Sequence, residues 1–273
     1  MAGPFISFLT DFGGETAPAI CRGVIWSIAA DARILDLNHG VRRHAIRDGA
    51  FLLSRAIGYL PVGVHLAVVD PGVGTDRRAI AILASRGDIL VGPDNGLLRP
   101  AARALGGIVE ARELTNAELF LPRVSSTFHG RDIFAPVAAR LAGGLPFPSV
   151  GPLVEAATLV DLVLPVPVAR DGGLDSVVVF IDPFGNVRLA GGREDLERIA
   201  GPLVTGRPLR VTIRGAKRPL DLTWAATFGD VPPGTAIAYD DAETAGLAIA
   251  VNQGSAAETF GLALDDIARI EPA

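Results

Sequence analysis

Two rhythms alternate along the first half of the chain. Short apolar runs, Phe5–Leu9, Arg33–Leu37, His65–Val69, Ala79–Ala84 and Asp88–Val91, have the length of strands. Between or after them lie segments with helical spacing. Pro18–Ala30 carries Ile20, Val24, Ile25 and Ile28; His44–Tyr59 carries Ile46, Ala50, Leu53 and Ile57; Asp132–Ala142 carries Ile133, Val137 and Leu141. Alternating strands and helices predict an α/β unit whose mainly parallel sheet is covered on both faces. After Gly143 the texture changes. Pro146, Pro148, Pro152, Pro165 and Pro167 interrupt the chain. From Val177 onward the pattern is strand-like at Val177–Ile181, Leu209–Ile213, Ala236–Tyr239 and Leu247–Val251, and only Glu194–Ile199 reads as helical. The break, near Val160–Gly173, predicts an N-terminal α/β domain over residues 1–162 and a smaller, β-rich, barrel-like domain over 163–273. Ligands of open α/β sheets bind beyond the carboxyl ends of the strands. Asp11 and Asp70 each close an apolar run, so the pattern places both at one rim of the sheet.

Composition narrows the function classes. With 273 residues, 49% hydrophobic and 20% charged, the chain can bury a sizeable core. Its formal net charge is −5 and Lys217 is the only lysine. No basic stripe is present, which argues against nucleic-acid binding. No apolar run reaches the roughly 18 residues of a spanning helix, and the stretch Leu159–Val168 is cut by Asp161, Pro165 and Pro167. The start, MAGPFISFLTDFGG, lacks the basic region of a signal peptide and reads as a first strand. The single cysteine, Cys21, forbids an intramolecular disulfide and reads as a small buried hydrophobe. A soluble cytoplasmic protein is expected. TDFGG lacks the GxGxxG spacing, so a nicotinamide or flavin enzyme is not expected.

Chemistry concentrates in a few segments. VVDPGVGTDRR, Val68–Arg78, puts a carboxylate, a glycine-rich turn and a guanidinium on one loop. Read alone, Asp70 and Arg77 could simply brace that turn as an ion pair. SSTFHGRDIFAP, Ser125–Pro136, holds His129 between Phe128 and Gly130; a lone histidine of this kind is more often a satisfied core residue. Arg78, Arg131 and Asp132 read as a structural charge network. FLTDFGG, Phe8–Gly14, contains Asp11, either a turn cap or an acceptor for a sugar diol. IDPFGNV, Ile181–Val187, is a turn by composition, and AVNQGSAAE, Ala250–Glu258, completes the set.

Together and in this order, from about Phe5 to about Ile270, these segments resemble the S-adenosylmethionine hydroxide adenosyltransferases. That family is related to the fluorinases and chlorinases, which attack the same substrate with a halide. The resemblance implies hydrolysis of S-adenosylmethionine to adenosine and methionine, with Asp70, Arg77 and His129 around the attacking water and Asp11 on the ribose hydroxyls. It implies adenine contacts from Asn186, Val251 and Asn252, and a place near the methionine ammonium for Asp182. Phe184 and Phe228 are candidates to flank the purine, although each could instead be core. Phe128 and Gly130 join the substrate set, and Glu243 and Thr244, in DDAETAG, are further candidate contacts. The halogenases of the superfamily carry tyrosine where this chain has Asp70, and serine where it has Gly130. A carboxylate repels a halide, so hydrolysis is expected rather than halogenation. The resemblance also implies a homotrimer, with sites between the N-terminal domain of one subunit and the C-terminal domain of its neighbour. No cofactor and no metal is expected. A metal-dependent hydrolase using Asp11, Asp70, His129 and Asp132, and a non-catalytic adenosine or S-adenosylmethionine sensor, are the competing readings.

Overall fold

The structure is a computed structural model that describes residues 3–14, 16–162, 165–214, 219–241 and 246–273. The chain divides into two compact units, Met1–Leu162 and Val163–Ala273. Among the described residues no helix is long and apolar enough to cross a membrane.

The first unit is a six-stranded sheet with helices on both faces. Its strands are β1 (Phe5–Thr10), β2 (Arg33–Asn38), β3 (Val64–Val68), β4 (Ala79–Ala84), β5 (Ile89–Pro93) and β6 (Ile108–Glu113). Its helices are α1 (Thr16–Ile28), α2 (Ile46–Ala56), α3 (Arg99–Ala104) and α4 (Ala135–Ala142). The strand order is β2-β1-β3-β5-β4-β6. β1, β2, β3 and β5 run parallel, whereas β4 is antiparallel to both neighbours. Side chains alternate across the pleat, so each strand feeds two cores. Ile6, Phe8, Leu66 and Val68 meet Cys21 and Ile25 of α1 and Val137 and Leu141 of α4. Leu9, Ala67 and Val69 meet Ala50 and Leu53 of α2 and Ala101 of α3. Burial pushes the Cys21 thiol up to about 12, against the pull of Arg131, so the cysteine is inert packing.

The expected helix over Asp132–Ala142 begins differently: a π-type turn over Gly130–Phe134 runs straight into α4. Two elements have no counterpart in the apolar pattern. α3, RPAARA, is short and rich in alanine; β6, IVEARE, is half charged and lies at the sheet edge.

The buried polar side chains described in this unit are paired. His65, Ser7 and Asp88 are completely buried. His65 Nδ1 lies 2.7 Å from Ser7 Oγ and His65 Nε2 lies 2.9 Å from Asp88 Oδ1. A carboxylate only accepts, so the ring proton sits on Nε2 and the Ser7 hydroxyl donates to Nδ1. Arg86 donates through Nε to the other oxygen of Asp88 at 2.7 Å.

The second unit contains β7 (Val168–Arg170), β8 (Gly173–Ile181), β9 (Val187–Leu189), α5 (Arg193–Ala200), β10 (Pro208–Ile213), β11 (Leu220–Trp224), β12 (Ala236–Asp241), β13 (Gly246–Val251), α6 (Ala256–Phe260) and β14 (Ile267–Pro272). β14-β10-β11-β12-β13-β9-β8 close into a ring because β8 also pairs with β14, while β7 rides on the outside of β8. Leu174, Val178, Val211, Trp224 and Ile249 fill the interior. A second helix, α6, corrects the expectation that only Glu194–Ile199 is helical. It is five residues long, too short to show a period, and is held by its cap: Ser255 Oγ accepts the Glu258 N–H at 3.1 Å.

Candidate active site

The strand order sets a candidate site in the first unit. The chain leaves β1 for β2 on one side and returns to β3 on the other, so a crevice opens at the carboxyl ends of β1 and β3. Asp11 directly follows β1, and Asp70 lies just beyond β3. Both line one cavity, together with Phe12, His44, Phe128 and His129.

The loop after β3 doubles back through Gly74, which has φ of +77°. A Cβ there would lie 2.4 Å from the Ser126 carbonyl oxygen, so only glycine lets this loop press against the segment carrying His129. That segment is pinned from inside. Asp132 is fully buried and accepts the Ser125 N–H and Oγ–H, each at 2.8 Å, and the Arg131 Nε–H at 2.5 Å. Arg78 is paired with Asp94. The geometry thus gives Arg78, Arg131 and Asp132 bracing contacts.

Asp70, Arg77 and His129 form one connected cluster. Arg77 Nε donates to Asp70 Oδ1 at 3.0 Å and Arg77 Nη2 to Asp70 Oδ2 at 2.6 Å. The same Nη2 donates to His129 Nδ1 at 2.7 Å. The guanidinium lies 5.1 Å over the Phe134 ring. The pair is well shielded, with the Arg77 and Asp70 side chains 11% and 5% exposed. A guanidinium has no acceptor, so His129 Nδ1 must offer its lone pair and its proton resides on Nε2. Burial first and the Arg77 charge second hold the His129 pKa below its ordinary value, against the opposing carboxylates of Asp70 and Asp132. His129 is therefore a neutral imidazole facing a cation.

Phe12 and Phe128 meet edge to face, with centroids 5.5 Å apart. Gly130 sits beneath them: a Cβ there would fall 2.7 Å from Phe12 Cζ.

The second unit has a cavity of its own, lined by Phe184, Asn186, Phe228, Val251, Asn252 and Gln253. Phe184 and Phe228 are 78% and 41% exposed, so neither is core. Asp182 folds the DPFGN turn on itself: Oδ1 accepts the N–H groups of Phe184 and Asn186, and Oδ2 accepts Asn186 Nδ2 at 2.9 Å. Asn252 Nδ2 donates to the Val231 carbonyl at 2.8 Å. Glu243 and Thr244 lie outside the described residues. Among the described residues no group of three or more His, Cys, Asp or Glu side chains is placed to hold a metal ion.

Sequence reasoning missed Phe12 and His44. Phe12 stands inside a motif already singled out and could have been found. His44 reads as the first turn of a helix, and only its backbone geometry reveals it.

A doubly wound α/β unit with an acid–guanidinium–imidazole cluster at its switch point, followed by a closed β-barrel with two exposed aromatics lining one cavity, defines a two-domain ligand-binding enzyme architecture. Residues 6–151 match the model of the SAM hydroxide adenosyltransferase N-terminal domain, and residues 176–269 match that of the C-terminal domain. The chain belongs to the SAM hydroxide adenosyltransferase family. It is 47% identical over 268 residues to the (R)-S-adenosyl-L-methionine hydrolase of Salinispora tropica, covering 98% of this chain and 97% of that protein. A fluorinase from Nocardia brasiliensis is 30% identical over 286 residues, covering 95% and 94%. The crystal structure of an uncharacterised conserved protein from Thermotoga maritima superimposes with a TM-score of 0.89 at 34% identity, covering 97% and 99%.

Proposed function

We propose that this protein hydrolyses S-adenosyl-L-methionine to adenosine and L-methionine. The observation that carries the reading is that Asp70 and His129, joined through Arg77, line the same cavity as Asp11. The oxygen of water forms a bond to ribose C5′ as the C5′–S bond breaks. The bonding pair goes to sulfur, so a sulfonium becomes a neutral thioether, and one water proton is released. The leaving group needs no acid. The nucleophile needs help, because free water has a pKa of about 15.7. Asp70 keeps lone pairs with which to orient the water. Arg77 offsets the charge that grows on its oxygen. His129 presents Nε2–H as a donor and fixes the guanidinium through Nδ1. Asp11 takes the ribose diol. Phe184 and Phe228 sandwich the purine, and Asn186 and Asn252 meet its edge.

The Salinispora relative is named for the (R) sulfonium epimer, and we assign the same preference to this chain. Asp70 supports water over a halide, and Phe12 already occupies the space that a side chain at position 130 would need. The reading requires neither a cofactor nor a metal. It includes the homotrimer with inter-subunit sites that the family resemblance implies, and a cytoplasmic location.

Incubation of each epimer with pure protein in ¹⁸O water tests the chemistry. Label on the adenosine 5′ oxygen is expected, faster with the (R) epimer and unaffected by exhaustive chelation. Label elsewhere, or tight binding without turnover, overturns it. Sedimentation equilibrium tests the trimer.

A further inference from the structure

We propose that the loop between β2 and α2 is a clamp that sets Asp11, with His39 and His44 as its positioning residues. The inference rests on the assignment of Asp11 to the ribose diol. Thr10, Asp11 and Gly13 each make a hydrogen bond with this one loop. His39 Nδ1 lies 2.9 Å from Thr10 Oγ1, and the Gly13 N–H donates to the His39 carbonyl at 2.7 Å. The His44 N–H donates to Asp11 Oδ2 at 2.9 Å.

The polarity of the chain of bonds follows from donor and acceptor capacity. His39 Nε2 lies 3.0 Å from Asp36 Oδ1, and Asp36 accepts Arg22 Nη1–H at 2.6 Å. Asp36 only accepts, so the ring proton is on Nε2. The Thr10 hydroxyl therefore donates to Nδ1, and its lone pair receives the Phe12 N–H at 3.2 Å. Thr10 is completely buried, and the His39 ring packs edge-on to Phe8 with centroids 4.7 Å apart. Thr10 cannot turn away to water, and the His39 side chain is only 12% exposed.

His44 reaches Asp11 only because its backbone is left-handed, with φ of +65°. That region disfavours side chains bearing a Cβ, and such outliers gather where geometry is held for a purpose. Here the strained residue delivers one N–H to one carboxylate oxygen. The bond fixes the carboxylate plane and leaves Oδ1 for a substrate hydroxyl.

The test is the ratio of affinities for adenosine and 2′,3′-dideoxyadenosine, measured by calorimetry on the full chain. The wild type is expected to prefer adenosine. Thr10→Val keeps the shape of the side chain and removes the hydroxyl. It should cut that preference about tenfold, the cost of one misplaced charge-assisted bond, while leaving dideoxyadenosine binding nearly unchanged. A loss of general folding would weaken both ligands alike and would leave the ratio intact. His44→Gly and His44→Ala both lack the imidazole, but only glycine accepts the left-handed backbone, so the glycine variant should retain the larger preference. An unchanged ratio in Thr10→Val, or equal ratios in the two His44 variants, overturns the clamp. A wild type indifferent to the diol overturns the ribose assignment itself.

Discussion

Replacing Arg77 by lysine separates a charge effect from a geometric one. Lysine keeps the positive charge near the nucleophile but replaces a planar fork with a single point. In the native cluster the fork spans Asp70 Oδ1 at 3.0 Å, Asp70 Oδ2 at 2.6 Å and His129 Nδ1 at 2.7 Å. One ammonium cannot reproduce the paired donation and also hold the imidazole. At least one bond to a charged partner is lost, worth about 1.5–3 kcal/mol. Spent wholly on the transition state, that is a fall of roughly ten- to a hundredfold in kcat/KM. Arg77→Ala goes further, because it strands a carboxylate whose side chain is only 5% exposed, and about 3–5 kcal/mol of stability should be lost with it. Steady-state adenosine formation and thermal unfolding, run on both variants, read the two effects separately. The lysine variant should remain folded and become slow. If it turns over within about twofold of wild type, bare charge suffices and the forked geometry has no catalytic role.

Three further outcomes follow from the geometry of the molecule. Burial and Arg77 both disfavour the His129 imidazolium, so the neutral ring persists as pH falls below 6.5 and is lost only through a lower value. The acid limb of kcat/KM should therefore lie below 6.5, with the same midpoint in the His129 ¹⁵N titration; a limb at or above 6.5 would contradict this. Burial likewise depresses His65, against the pull of Asp88, so below pH 6.5 the unfolded chain binds a proton that the native state refuses. Its contribution to stability is present above pH 6.5 and drains away on acidification. His65→Leu should cost about 1–3 kcal/mol at neutral pH by leaving the buried Ser7 hydroxyl without its partner and taking one bond from Asp88, which keeps Arg86. It should also flatten the acid side of the urea-stability profile, and an unchanged profile would assign the sensitivity elsewhere. Gly130→Ser forces Phe12 from its contact with Phe128, because the new Cβ would approach Phe12 Cζ to 2.7 Å. Hydrolysis should fall, and no 5′-chloroadenosine should form in chloride while Asp70 remains; a chlorinated product would defeat the electrostatic argument.

The sequence was legible where burial imposes a period. The strands around Ile6, Leu66 and Ile80 are hydrophobic because both faces of the sheet are covered. It was opaque where local bonds do the work. β11, LDLTW, and β14, IARIEP, alternate too briefly around Asp221, Arg269 and Glu271 to stand out. The rim position of Asp11 and Asp70 followed from strand order alone, and the motifs of the family supplied the remaining candidates. What no motif conveys is direction: which nitrogen of His129 faces Arg77, or that His44 serves Asp11 through its backbone. Those depend on angles that the chain acquires only when distant segments meet.

The buried Ser7–His65–Asp88 array carries a warning for anyone matching three-point templates of acyl hydrolases to this fold. Serine, imidazole and acid stand within 2.7 and 2.9 Å of one another, as a peptidase or esterase would have them. Yet the nitrogens are exchanged relative to that arrangement, and none of the three side chains meets a single solvent molecule. An ester could never approach the hydroxyl, so a template match at this spot identifies internal scaffolding and predicts no reactivity toward fluorophosphonates.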